Sequence, residues 1–420
     1  MYQKTTLDNG LRIITSTMPH TRSISVCAFI GVGSRHEADA AAGVSHFIEH
    51  LCFKGTSKRA TARDIATAIE GVGGIINGGT DKEMTIYWSK VAAPHFPLAL
   101  DVLVDMLLNS RFDPAEIERE RQVIIDEIHM VKDSPYQRVG MLIDELLWPG
   151  HPLGRDIAGS EESVFAMTRD TMLDFLAGRY CPGNTVVAVA GSIGQEDAVQ
   201  LVNDALGAWT GVQPETGYLA YRDEVNPRLR IEKRDTEQTH LCLALPGLPL
   251  LHPGRYALDL LNVVLGEGMS SRLFSEIRDK LGLAYSIHSY VEHFHDSGAM
   301  TVYAGVEHEN LTVALQAILE LLAVLRDPIP GAELDKAKEL AKGRMLLRME
   351  DSRSVAGWCG GQEVLTGSVL SVDEVVAILD AITAEEISQL AGELLVDSRL
   401  RLAVVGPLAG GEELEKLLKL

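Results

Sequence analysis

The 420-residue chain has no lysine- or arginine-rich tract, and 59 acidic side chains outnumber 38 basic ones. A formal charge of −21 without a basic patch lacks the electrostatic footprint of a nucleic-acid binder, so no nucleic-acid partner is expected. No apolar run approaches the roughly 18–20 residues that span a bilayer, so no membrane partner is expected either. The opening residues Met1 to Leu7 lack an apolar signal core, which points to a cytoplasmic location. Cysteine is scarce. The five (Cys27, Cys52, Cys181, Cys242, Cys359) are odd in number, widely spaced and without a Cys-x-x-Cys pair. That pattern suits free thiols in a reducing compartment, not a disulfide framework or a cysteine-rich zinc site.

What is present is enough apolar residue, 46%, for ordinary globular cores, and a length that at roughly 150 residues per domain predicts two or more of them. An internal repeat sharpens this. Val26-Cys27-Ala28 precedes Leu241-Cys242-Leu243 by 215 residues, and the same offset relates Thr168 to Thr383 and Val189-Ala190-Gly191 to Val404-Val405-Gly406. Ala115-Glu116-Ile117 matches Ala332-Glu333-Leu334 at 217. These four matches, in a shared order, predict homologous halves at 1–212 and 228–420. Between them, 213–227 reads as a linker, because the segment around it has prolines and glycines and no helical period. Strands are expected at 11–15, 24–30, 84–91 and 186–190, where β-branched residues cluster. Helices are expected at 42–53, 62–72, 95–108, 114–131, 136–147 and 169–180 from their 3–4 apolar spacing. The fold class is α+β: two homologous α/β-sandwich domains, each a mostly antiparallel sheet with packed helices.

The chemistry lies in Ser45-His46-Phe47-Ile48-Glu49-His50-Leu51. On a helix, His46, Glu49 and His50 fall within an arc of about 100°. Two imidazoles there can share one metal while the carboxylate reaches a water bound to it. An amphipathic helix with two solvated histidines is the other reading. A catalytic zinc needs a third protein ligand. The helix from Pro114, with Asp113 as cap and Glu116 placed to close a capping box, carries Glu120 and Glu127 seven residues apart on one edge of its apolar stripe. An inward carboxylate needs a partner, and a metal is one. A solvated charged face is the alternative for this helix.

These residues resemble the pitrilysin family of inverted-motif zinc peptidases, in the half-length bacterial branch similar to mitochondrial processing peptidase. Sixty-nine residues separate His50 from Glu120 and six separate Glu120 from Glu127, as in that family. The resemblance implies one zinc per chain with His46, His50 and Glu127 as ligands. It further implies Glu49 as general base and Glu120 as the carboxylate that orients the site. At an offset of 215, His46, Glu49 and His50 fall on Leu261, Val264 and Leu265, and at 217 Glu127 falls on Arg344, so the second half has not kept the ligands.

In the second half, the segment from Leu265 to Tyr285 resembles the family's glycine-rich turn, helix and Arg/Tyr pair. Arg278 and Tyr285 are thereby implied to position substrate and stabilise the oxyanion. Read alone, Arg278 could instead pair with Glu276 or Asp279, and Tyr285 could be core. The family's Asn-Ala-x-Thr run, on an edge strand that accepts substrate as an added strand, appears here as Asn77-Gly78-Gly79-Thr80. Asn77, Gly78 and Thr80 are thus implied to bind substrate, with Gly78 departing from the pattern. His288, His293 and His295 form a weaker candidate metal cluster, and His151 lies in a proline-rich loop. The expectation is a cytoplasmic zinc endopeptidase, a homodimeric clamshell acting on extended or unfolded peptides. The alternative is a non-proteolytic or partner-dependent subunit of the same fold.

Overall fold

A computed structural model describes residues 2–212, 217–222, 227–408 and 410–420. Most of the expected linker, 213–216 and 223–226, lies outside the described residues. The chain packs into two compact units. The first is built from Met1–Ile128, Asp156–Leu219 and Leu346–Ser371, the second from His129–Arg155, Ala220–Met345 and Val372–Leu420. The units therefore differ from the two sequence halves by an exchange. Each takes one stretch of chain from the other half.

The first unit centres on strands β1 (Gln3–Thr6), β2 (Arg12–Thr17), β3 (Ser23–Ile30), β4 (Ile75–Thr80), β5 (Thr85–Ala92) and β6 (Thr185–Gly191). Their order is β1-β2-β6-β3-β5-β4, antiparallel except for the β2–β6 pair. The period of two divides the strands between faces. Ile24, Val26, Ile30, Val187 and Val189 join one core with helices α1 (Val44–Cys52), α2 (Ala62–Glu70), α3 (Phe96–Asn109) and the start of α4 (Pro114–Asp133). Cys27, Phe29, Val186, Ala188 and Ala190 point to the opposite face.

Helix α5 (Pro135–Leu147) follows α4 but packs in the second unit, and helix α6 (Ser352–Thr366) covers the second face of the first sheet. Cys27, Ala188 and Ala190 on the sheet and Gly360 on the helix are small, so α6 lies close. An added Cβ at Gly360 would sit 2.2 Å from the Phe29 ring and 2.9 Å from Ala188 Cβ. The start of α6 is fixed by Ser25 Oγ against Ser352 Oγ at 2.9 Å and by Asp351, which caps the helix through Ser354 N–H. Its far end carries buried Glu363, paired with Lys4 at 2.5 Å and Arg12 at 3.3 Å.

The second unit repeats the plan. Strands β7 (Leu229–Lys233), β8 (Thr239–Pro246), β9 (Ala284–His293), β10 (Gly298–Val306) and β11 (Arg401–Gly406) lie in the order β7-β11-β8-β10-β9, with β11–β7 the parallel pair. Cys242, Ala244, Ala299, Tyr303, Ala403 and Val405 face α5, whose Val139, Leu142, Ile143 and Leu146 complete that core. Thr168 and Thr383 cap helices Arg169–Arg179 and Ala384–Leu394 through the same hydroxyl-to-backbone bond, the repeat expressed at the level of single hydrogen bonds. His293 pins β9 inside this unit. Its Nδ1 donates to the Leu248 carbonyl at 2.6 Å and its Nε2 to Asp259 at 3.2 Å.

Two outcomes test this packing. Alanine is favoured over glycine in a helix by about 1 kcal/mol, but overpacking a buried contact costs about 1–3 kcal/mol. Gly360→Ala is therefore expected to lower the unfolding midpoint, whereas Gly361→Ala, whose Cβ meets only Phe29 at 4.0 Å, raises it. Burial works against a charged His293, but Asp259 and the Leu248 carbonyl outweigh it and raise its pKa above the usual value. Its stabilisation is present below the unfolded-state pKa of about 6.5 and lost as the pH rises through the raised folded value. The stability gap between wild type and His293→Leu, about 1 kcal/mol at pH 5.5, is expected to shrink by pH 8.5 in denaturant melts, since one partner carboxylate is solvent-screened.

Candidate metal centre

The first unit also holds the His46–His50 segment, on α1. The helix starts at Gly43, in the left-handed region at φ +90°, where a Cβ would strike the Ala158 carbonyl oxygen at 2.3 Å. Its free N-terminal amides are met by the buried Glu37 carboxylate, which accepts from Gly43 N–H at 2.7 Å and Ser45 N–H at 2.8 Å. Phe47, Ile48 and Leu51 are buried in the core, which turns His46, Glu49 and His50 to the opposite edge. Both imidazoles are mostly buried, not solvated.

Helix α4 begins where Asp113 accepts from Ala115 N–H at 2.9 Å. The expected capping box does not form, because Glu116 turns to Arg119, three residues on along the same helix. Arg121 locks the helix in place by donating to the Val164 and Met167 carbonyls. Ile117, Ile124 and Ile128 fill the core, and Glu120 is almost fully buried with them, while Glu127 is partly exposed. Glu120 and Glu127 both reach the histidines of α1.

His50 Nδ1 lies 3.1 Å from Glu120 Oε2. Glu120 also accepts from Lys54 at 2.7 Å. Burial would raise its pKa, but the bonds from His50 and Lys54 prevail and hold it below the usual carboxylate value. An ionised carboxylate only accepts, so His50 Nδ1 carries the proton of this bond, which leaves Nε2 as the nitrogen that a metal would take. His50 Nε2 lies 3.6 Å from Glu127 Oε2, and His46 Nε2 lies 3.8 Å from the same oxygen. Burial, reinforced by His50, pushes His46 down to about 4, which leaves its imidazole neutral near pH 7.

These atoms fit a metal. One ligand atom from each of His46, His50 and Glu127 lies within 4.8 Å of the others, the one such group of three among the described residues. Ligands about 2.0–2.2 Å from a tetrahedral ion stand about 3.3–3.6 Å apart, close to the spacings seen. Two imidazoles and a carboxylate form a zinc-type donor set.

Glu49 sits beside them. Its Oε2 accepts from Thr80 Oγ1 at 2.7 Å. Burial raises its pKa, partly offset by the Thr80 bond. Thr80 and Gly78 lie on β4, the edge of the sheet, which pairs with β5 alone among the described residues. Asn77 is on the same strand, but its side chain accepts from the next backbone N–H, Gly78, at 2.8 Å. Glu37, Lys54 and the Thr80–Glu49 bond carry no spacing signal in the sequence, since each contact joins separate elements or an irregular turn to a helix.

Arg278 and Tyr285 belong to the second unit, at the π-helix Phe274–Lys280 and the start of β9. The guanidinium lies over the Tyr285 ring at 5.0 Å and the Phe274 ring at 4.7 Å, and Tyr285 is 76% exposed. Glu276 pairs with Lys280 instead of Arg278. In the helix Arg255–Gly266, the positions matching His46, Glu49 and His50 are buried Leu261, Val264 and Leu265, and Arg344 pairs with Glu267. His293 is committed to Leu248 and Asp259, and His288 packs against Tyr303 at 5.2 Å. His151 caps a short turn by accepting from Leu153 N–H at 3.2 Å.

Removing the carboxylate charge that orients His50 tests the site. Glu120→Gln is expected to weaken zinc affinity by about 10–100-fold, read by competition with a chelator of known affinity, with the fold intact by circular dichroism.

Residues 12–161 match the family model described as insulinase (peptidase family M16), and 166–340 match the peptidase M16 inactive domain. An uncharacterized zinc protease of Bacillus subtilis is 38% identical over 97% of this chain and 98% of its own length. An uncharacterized zinc protease of Mycobacterium leprae is 40% identical over 99% of this chain and 94% of its own. The crystal structure of a protease from Helicobacter pylori shares the fold at a TM-score of 0.92 and 24% identity, covering 97% of this chain and 99% of that one. No helix among the described residues is long and apolar enough to cross a membrane. With a relative this similar along nearly its whole length, the chain belongs to peptidase family M16, the pitrilysin (insulinase) family.

Proposed function

We propose that the protein is a zinc-dependent endopeptidase that hydrolyses extended or unfolded peptides. The observation that carries this reading is the convergence of His46, His50 and Glu127, with Glu49 near enough to interact with the charges of His50 and Glu127. His46 Nε2, His50 Nε2 and Glu127 would hold one zinc ion per chain, and Glu120 keeps His50 in the tautomer that can bind it. When bound, zinc supplies Lewis acidity toward water and the scissile carbonyl.

The chain's own residues supply the rest. Glu49 is near enough to take a proton from the attacking water and later return it to the leaving amine, and its raised pKa suits a group that must hold that proton between the two steps. The free edge of β4 offers main-chain hydrogen bonds to any extended peptide, which favours unfolded substrates over particular sequences. To Arg278 and Tyr285 we assign the substrate-positioning role that the family resemblance implies. Two observations support it: Tyr285 is exposed, and Arg278 has no carboxylate partner among the described residues.

Metal analysis and cleavage of an unfolded peptide test the reading. Wild type should carry zinc and cleave, and Glu49→Gln should keep the zinc while kcat falls by about 100-fold or more. Zinc-loaded wild type that leaves every unfolded peptide intact, or a Glu49→Gln variant as active as wild type, would contradict it.

A further inference from the structure

Resting on the peptidase reading, we propose that Thr80 is a positioning residue for Glu49, through which the substrate-binding edge strand sets the general base. Thr80 ends β4, where it is fixed in register opposite Thr85. Its hydroxyl has one proton, and that proton is given to Glu49 Oε2 at 2.7 Å. The hydroxyl therefore has no proton left to donate to a substrate. The Thr80 backbone N–H also bonds the Glu49 carboxylate, so the end of β4 holds Glu49 through main chain and side chain alike.

A second contact joins the same strand to the same side chain. Gly78 lies two residues before Thr80 and so shares its face of β4. A Cβ at position 78 would stand 3.1 Å from Glu49 Oε1, 3.1 Å from Glu49 Cγ and 3.0 Å from Phe53 Cε2. The strand thus passes over Glu49 at close range, with a bare Cα beside Oε1 and the Thr80 hydroxyl on Oε2. A peptide that pairs with the open edge of β4 stiffens the strand holding that hydroxyl. Seating of substrate and alignment of the base become one event.

Valine has the shape of threonine without the hydroxyl, and serine keeps the hydroxyl, so Thr80→Val and Thr80→Ser separate the bond from the packing. Thr80→Val is expected to lower kcat by about 10–100-fold with KM within twofold and zinc content unchanged, and Thr80→Ser to recover most of the loss. Crystal structures of the zinc-loaded proteins give a readout apart from activity. Glu49 should keep one rotamer, bonded to residue 80, in wild type and Thr80→Ser, and leave it in Thr80→Val. An unchanged kcat in Thr80→Val, a raised KM with kcat preserved, failure of serine to rescue, or an unmoved Glu49 in the valine structure would each overturn the proposal. Should wild type itself prove inert, the peptidase reading fails while the Glu49 rotamer still decides the role of Thr80.

Discussion

A sheet with two apolar faces must be covered on both, and this requirement organises the whole chain. In each unit one face meets several helices, and the opposite face, lined by small residues such as Cys27, Ala188 and Ala190 or Cys242, Ala244 and Ala403, takes a single close-lying helix. That helix comes from the other half of the sequence in both cases, α6 for the first sheet and α5 for the second. Burying a medium-sized apolar side chain contributes about 1.5–3 kcal/mol, so a helix with four or five such contacts stays where its face is covered, whatever its neighbours in sequence.

The candidate metal site follows from two helical spacings. His46, Glu49 and His50 occupy one edge of α1 because Phe47, Ile48 and Leu51 fill the core, and Glu120 and Glu127 occupy one edge of α4 because Ile117, Ile124 and Ile128 do. The charges do not balance without an added cation. Three carboxylates, Glu49, Glu120 and Glu127, gather around two imidazoles, and Lys54 is the ammonium that pairs with them, on Glu120. A partly buried group of this kind favours a divalent ion and disfavours staying empty. The duplicated helix in the second unit shows the opposite solution, with Leu261, Val264 and Leu265 in the core and no ligands to neutralise.

Much of this was legible in the sequence, for reasons that can be named. The repeat surfaced because equivalent positions do equivalent work: Cys27 and Cys242 lie under the covering helices, and Thr168 and Thr383 cap matching helices. Spacing along a helix put His46, Glu49 and His50 on one edge and Glu120 and Glu127 on another, while the ligand roles of His46, His50 and Glu127 came from the family resemblance. The exchange of α5 and α6 did not, since amphipathic periodicity says that a face is buried but not against which sheet. The same holds for Glu37, which caps α1 from beyond an irregular turn, and for Thr80, whose alternation gives the face of β4 but not the carboxylate across from it. Glu116 was legible as a capping residue by pattern and was claimed instead by Arg119, because a local ion pair and a capping box compete on nearly equal terms.

The central claim, that α1 and α4 together hold a catalytic zinc, is tested most directly by anomalous diffraction at the zinc edge from crystals of the protein grown with zinc. One peak is expected, about 2.0–2.2 Å from His46 Nε2, His50 Nε2 and a Glu127 oxygen, with Glu49 alongside but not bonded to the ion. No peak there at full zinc occupancy in solution, or a peak held by other residues, would contradict it.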